Sequence, residues 1–414
     1  MKRLTKSLIG IMCLTMMFQG CSDDSPTSPD SGDTTITTPP TYEFASRFVD
    51  GESSVVYTGQ TVRNVLTKDL KSLAGTNEST EASLLDLYTN NNGACSAANI
   101  INAEKQTTWA DFDGNCKNLS DKIASDALLG YGLPPDEQMK AWFAEVPNLI
   151  SHPGDPSRFV QSADSLELNQ MIGKGLLGVV AYYQGTSVYM SKMEDDAATN
   201  GAADGSSAYS SMEHHWDESF GYFGAAKDYN TYTDDAARIS SYDSNGDGSI
   251  DYKSEYNFAW ATYAAKRDID CAGTCTLDND FTGTIMGAYL EGRTLIHNQG
   301  ALTDITTQRT IIVNAWEKMV AANIIHYANS VKGTVSSGSG SMVHAWAEMR
   351  AFAMALQYNQ YKLISDTDLE SVIALMGTAP PAYSTWTDYV TSMNTVVSTL
   401  QSAYSFGDAN IAAW

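Results

Sequence analysis

Along most of the chain, apolar residues recur three and four positions apart, the spacing of one face of an α-helix. Residues 61–73 show it clearly, with Val62, Val65, Leu66, Leu70 and Leu73 on one face and a stop at Ala74-Gly75. The same spacing predicts helices over residues 81–88, 119–129 and 135–146, the last opened by Pro134-Pro135-Asp136-Glu137, with proline and acids in its first turn. Further helices are expected over 164–190, 256–267, 284–299, 305–332, 341–362, 366–375 and 385–404. Alternating patterns of the kind a strand needs are scarce, so the fold class is all-α, built of long antiparallel bundles. The expected domain runs from residue 43 to 414 in two halves, about 43–230 and 231–414.

Those halves carry an echo. His214-His215-Trp216-Asp217-Glu218 contains the pattern His-x-Trp-x-Glu, and His344-Ala345-Trp346-Ala347-Glu348 repeats it. A long apolar helix pattern precedes each copy, at 170–183 and at 310–327. A divergent repeat of helix, loop and motif helix fits this, with two pseudo-repeated bundles whose motif helices face each other across a pseudo-twofold axis. On a helix, His214 and Glu218 lie one turn apart, and His215 and Glu218 are three apart on nearly that face. Imidazoles of His214, His215 and His344 with carboxylates of Glu218 and Glu348 make a mixed N/O set suited to iron, zinc or copper, with Asp217 orienting a histidine. The same residues on a buried helical face equally describe packing.

A second constellation is Asp243-Ser244-Asn245-Gly246-Asp247-Gly248-Ser249-Ile250-Asp251, an EF-hand-like spacing with oxygen donors at positions 1, 3, 5 and 9 and glycine at 6. Asp243, Asn245, Asp247, Ser249 and Asp251 would supply most of the oxygens a calcium ion needs. Position 12 is Ser254, so Glu255 would have to close the shell from one residue further on. An Asp/Gly turn without metal is the other reading. Residues 195–210, rich in Ala, Gly, Asp and Ser, read as a loop.

Charge narrows the partners. The chain carries 49 acidic against 25 basic residues, a net −24, and removing Lys2, Arg3 and Lys6 with a leader takes this to −27. Nucleic acid and anionic lipid head groups are thereby disfavoured. The leader itself is a basic start (Lys2, Arg3, Lys6), an apolar run and Phe18-Gln19-Gly20-Cys21, too short to span a membrane. It resembles a bacterial lipoprotein signal, although Phe18 stands where such signals usually have Leu or Val. That resemblance implies cleavage after residue 20, acylation of Cys21 and attachment to the outer membrane or cell surface of a Gram-negative bacterium. Ser22-Asp23-Asp24 resembles the surface-export tag of Bacteroidota lipoproteins, and residues 21–42 read as a flexible tether. Beyond Cys13 and Cys21 four cysteines remain, and proximity favours Cys95 with Cys116 and Cys271 with Cys275, one of three pairings. A thiolate metal site is the alternative.

The segment from His214 to Gly224, together with Gly59-Gln60-Thr61 and Trp346-Ala347-Glu348, resembles an uncharacterised family of bacterial lipoproteins. More distantly the chain is similar to the imelysin-like proteins, two-bundle helical proteins tied to iron uptake and once assigned as peptidases. His215-Trp216-Asp217-Glu218 supplies the His-x-x-Glu of their Gly-x-His-x-x-Glu motif, with Glu213 in place of the glycine. The resemblance implies metal acquisition, with an outer-membrane transport partner. The zincin signature, nucleophile elbow and phosphate loop are absent, so enzymatic function rests on that motif alone. Three functions stand as expectations: a metal-binding lipoprotein with a structural calcium, a metallopeptidase of imelysin type, and a glycan- or partner-binding surface protein using some of its 22 Tyr and 8 Trp. His152, His297 and His326 read as structural.

Overall fold

The expected helices form because their apolar stripes find one another, and all but one of those predicted are present. The computed structural model describes residues 35–76, 78–90, 117–252, 254–275, 280–334, 340–382 and 385–414. The leader, Cys21, Cys95 and Cys116 lie outside the described residues. In chain order the helices are α1 (Thr58–Leu73), α2 (Glu81–Thr89), α3 (Pro135–Glu145), α4 (Leu168–Leu176) and α5 (Ser211–Phe223). They continue with α6 (Ala259–Cys271), α7 (Phe281–His297), α8 (Leu302–Thr334), α9 (Gly340–Ala355), α10 (Asp366–Met376), α11 (Trp386–Tyr404) and α12 (Asp408–Ala413). The described strands are β1 (Ile150–His152) and β2 (Asp155–Val160), an antiparallel hairpin pairing Ile150 with Val160.

The long α8 packs on α7 and α9, and α9 packs in turn on α4, so the two halves of the sequence interlock within one unit, Thr35–Trp414. α10 and α11 form a hairpin laid on α8. Four tryptophans, Trp216, Trp260, Trp316 and Trp346, are fully buried in this core. The rings of Tyr182, Trp260 and Trp316 meet at 5.7–6.2 Å, tilted or edge to face. Glu317 on α8 is also buried, and it survives there because its carboxylate accepts from Asn359, from the amides of Leu363 and Ile364, and from the Tyr404 hydroxyl at 2.8–3.1 Å.

α4 does not end where its α-helical bonding stops but continues as a π-helix over Leu177–Tyr189. The wider turn leaves carbonyls for other elements: Leu177 accepts from the Trp260 indole, Val179 from the Ala124 amide and Gly185 from the Ser219 hydroxyl, at 2.8–3.2 Å. Gly185 is required here, since a Cβ would lie 2.8 Å from the Trp316 ring.

Two local expectations are corrected. The helix expected over 119–129 is a single turn, Ser120–Lys122, because its amides are drawn elsewhere, Ala124 to Val179 and Leu129 to the Gln357 side chain at 2.9 Å each. The tail of the expected tether also belongs to the fold: Ile36 exchanges two 2.8 Å hydrogen bonds with Asn298, and Tyr42 is buried. Cys271 and Cys275 are joined as a disulfide at the end of α6. No helix among the described residues is long and apolar enough to cross a membrane.

Candidate functional site

The first motif helix, α5, is fixed at its start by a reciprocal cap in which Ser210 and Glu213 each accept the other's backbone amide. Its buried face then meets Arg293 of α7, which is wholly enclosed. Arg293 donates to Asp217 through Nε and to Glu213 through Nη1, both at 2.9 Å, and to the Ser54 hydroxyl at 2.7 Å. Arg47 adds a second guanidinium on Glu213 at 3.1 Å. Burial would raise the Glu213 carboxyl, but Arg293 and Arg47 outweigh it and hold it below its ordinary value. At Asp217 burial wins over Arg293 and Tyr42, and the carboxyl is pushed up to about 6. Trp216 donates its indole to the Tyr289 carbonyl at 3.0 Å, and Phe220 stacks on Tyr42 at 3.7 Å. Glu213, Trp216, Asp217 and Phe220 are therefore the packing centre of this half.

The remaining polar residues of the motif point outward to different partners. His215 bonds Asp196 at 2.6 Å, while His214 stacks on Tyr209 at 4.5 Å and lies 3.8 Å from Glu218, which also accepts from Gln60 at 2.7 Å. Burial lowers the His214 pKa from its ordinary value, more than Glu218 raises it.

The second copy repeats the local geometry on α9. Trp346 is buried and donates to the Met376 carbonyl at 3.3 Å, and His344 lies 3.5 Å from Glu348 one turn on. The helices themselves are not main packing partners: α5 lies on the π-helix, α1 and α7, whereas α9 lies on α8 and α4. His214 and Glu218 line one cavity, and His344 and Glu348 line another. The five residues expected to share a metal ion are thus not brought together. Among the described residues no three His, Cys, Asp or Glu side chains converge as a metal site.

What His344 and Glu348 do share is a cavity of about 420 Å³ rich in lysine. α1 contributes Asn64, Thr67, Lys68 and Lys71, spaced i, i+3, i+4 and i+7, and α6 contributes Thr262, Tyr263 and Lys266 on the same periodicity. α4 adds Lys174. Glu348 is the one carboxylate among the described lining residues. Aromatic rings hold the ammonium groups in place: Lys68 bonds the Tyr256 hydroxyl, Lys174 bonds that of Tyr263, and Lys266 lies 4.9 Å over the Tyr263 ring. Gly173 makes room for Lys71, since a Cβ there would lie 2.6 Å from the lysine's Cγ.

Electrostatics follow from that crowding. Lys174 pairs with Glu348 at 3.3 Å, and His344 bonds Glu167 at 3.0 Å. Burial would raise Glu348, but Lys174, His344 and Lys71 bring it down to about 2. Burial first, then the Lys174 charge, lowers Lys71 to about 8, and the same two causes lower Lys266 to about 8. In a chain with twice as many acids as bases, this chamber is locally cationic. It can attract and hold an anion, and it disfavours a metal cation at His344 and Glu348.

The loop at Asp243 is closed by its own amides. Asp243 accepts from Gly246 and Gly248, Asn245 from Asp247, and Asp247 from Ser249, at 2.7–2.9 Å. Glu255 is buried and reaches back across the loop, taking the Asn245 amide at 3.2 Å and the Asp251 amide at 3.1 Å. The carboxylates of this loop do not converge as a cation site in this arrangement.

Fold and cavity together define a mostly helical bundle protein with a lysine-lined chamber between α1, α4, α6 and α9. The chain belongs to the family described as a domain of unknown function (DUF4856), whose model matches residues 146–376. That span holds both motif helices, the Asp243 loop, Lys174, Lys266, His344 and Glu348, but not Lys68 or Lys71. No curated protein and no solved structure matches the chain. The lysines were missed in the sequence, although the stripe Asn64, Thr67, Lys68, Lys71 on an otherwise buried helix was a signal that could have found them.

Proposed function

We propose that the protein is an exported, lipid-anchored binding protein rather than an enzyme, and that its ligand is a small anion held in the lysine-lined cavity. One observation carries this: four lysines from three helices line a chamber with a single carboxylate, in a chain whose net charge is −24. Like charges crowded into a partly buried space cost stability, and such costs concentrate at sites of function. Titration calorimetry at pH 7 with phosphate, sulfate, acetate and malonate is expected to show binding that weakens about tenfold or more in the double variant Lys71→Gln/Lys266→Gln, since a buried charge-assisted hydrogen bond contributes about 1.5–3 kcal/mol. Unchanged affinity in that variant would place the anion elsewhere. Palmitate labelling that disappears in Cys21→Ala checks the anchor.

Metal acquisition and an imelysin-type metallopeptidase draw less support from the geometry, since His215 is engaged with Asp196 and Glu348 with Lys174. A structural calcium ion at Asp243, Asn245, Asp247, Ser249, Asp251 and Glu255 is a second proposal, supported by the reach of Glu255 into the loop. Binding would exchange its amide contacts for metal contacts. The melting temperature is then expected to rise by a few degrees in millimolar calcium and to fall back with chelator, a shift of roughly 1–2 kcal/mol by mass action. Equal melting in calcium and in chelator removes this proposal.

A further inference from the structure

The cavity's charge inventory specifies its ligand further, on the reading that the cavity binds an anion at all. Lys174 is already paired with Glu348 at 3.3 Å, and His344 is bonded to Glu167 at 3.0 Å. Lys71 and Lys266 make no ion pair among the described residues, and they approach the same chamber from α1 and from α6. The charge of Lys174 adds to the effect of burial on Lys71, since two ammonium ions resist sharing one chamber. From these placements we infer that the cavity takes a compact dianion, a phosphate or sulfate monoester or a short dicarboxylate, clasped between Lys71 and Lys266 with proton uptake by those two amines.

The proton uptake follows from what surrounds them. Lys68 on α1, Lys174 on α4 and Arg267 on α6 are the cations facing the pair, and the His344 imidazole on α9 lines the same chamber. Glu348 and Glu167 oppose them. The phenols of Tyr263 and Tyr327, the last on α8, stay neutral in this range, since burial raises both. Burial first, and then the excess of cations, lowers both amines to about 8 in the free protein. An added dianion reverses that balance and draws both back toward the ordinary lysine range. A dianion also discharges two unpaired positive charges, where a monoanion discharges one.

The size fits as well. About 420 Å³ holds a group of this kind with part of what it is attached to. The neutral side chains of Asn64, Thr67 and Thr262, which donate to the Gly221, Arg63 and Ala259 carbonyls, line the space beside it without adding charge. Gly173 keeps Lys71 in place, so Gly173→Ala is expected to weaken binding without removing any charged group.

The test is calorimetry on the intact protein with sulfate, malonate and acetate, none of which changes charge between pH 7.5 and 9.5, in two buffers of different ionisation enthalpy. Expected are sulfate or malonate binding at least about tenfold tighter than acetate, affinity falling by on the order of a hundredfold from pH 7.5 to 9.5, and a buffer-dependent heat reporting proton uptake near pH 8.5. Sulfate preferred over malonate assigns an ester of an oxyacid, and the reverse assigns a dicarboxylate. Lys71→Gln and Lys266→Gln, which relieve repulsion and are expected to fold, should each bring dianion affinity down to the acetate level. Dianion and acetate binding alike, or no dependence on Lys71 and Lys266, overturns the dianion while leaving an anion site. Binding of none of the three overturns both.

Discussion

Arg293→Met is expected to destabilise the protein by about 3–5 kcal/mol at pH 8, because it leaves buried carboxylates without their shared partner. Arg293 is fully enclosed and bridges Asp217 and Glu213 at 2.9 Å each. Glu213 keeps Arg47 at 3.1 Å and its cap at Ser210, so the loss falls mainly on Asp217. That carboxylate would retain only the Tyr42 hydroxyl at 2.8 Å. Its pKa is already raised to about 6 by burial, and removal of the guanidinium raises it further. A protonated Asp217 is much cheaper to bury, so the deficit relative to the parent should shrink at pH 5. Urea denaturation at pH 5 and pH 8 measures this. Equal losses at both pH values would assign the effect to lost packing around the arginine stem instead.

The second large effect has the opposite sign. Lys71→Met and Lys266→Met are each expected to stabilise the protein at pH 7, by on the order of 2 kcal/mol, while bringing dianion affinity down to the acetate level. Both amines have folded pKa values of about 8 against 10.5 for an ordinary lysine. The folded state therefore carries the cost of charging them at every pH below about 8, and that cost disappears as pH rises through 10.5. In the parent this contributes stability that increases between pH 8 and 10.5. The double variant should start higher and lose that rise. Thermal melts across this window decide it, and a parent curve that is flat or falling there, with variants no more stable, would remove the repulsion on which the cavity's function is argued.

Much of the fold was legible because helix formation is a local matter. Spacing in threes and fours located eleven stretches, and the predicted segment 305–332 is observed as Leu302–Thr334. It failed at 119–129, where the amides of Ala124 and Leu129 are claimed by Val179 and Gln357, partners 55 and 228 positions away. No local pattern contains such a competitor. The π-helix at Leu177–Tyr189 was hidden for the same reason, since its freed carbonyls are paid back by Trp260, Ala124 and Ser219.

The site divides along the same line. The repeated His-x-Trp-x-Glu is a local pattern, and its local consequence is present twice: a buried tryptophan donating to a carbonyl, with His and Glu one turn apart at 3.8 and 3.5 Å. What each pair faces was settled by which helices lie opposite. α5 turned Glu213 and Asp217 toward Arg293, whereas α9 turned His344 and Glu348 toward three lysine-bearing helices.

By itself the sequence determined the helical class and the acidic balance of the whole and favoured the Cys271–Cys275 bridge, because each depends on composition or on residues a few positions apart. Only the tertiary structure decided where charge of one sign would gather. Lys71, Lys174 and Lys266 are about 100 residues apart in sequence, and they share a chamber because α1, α4 and α6 bury their apolar faces in a single core, which carries the lysines on their remaining faces together.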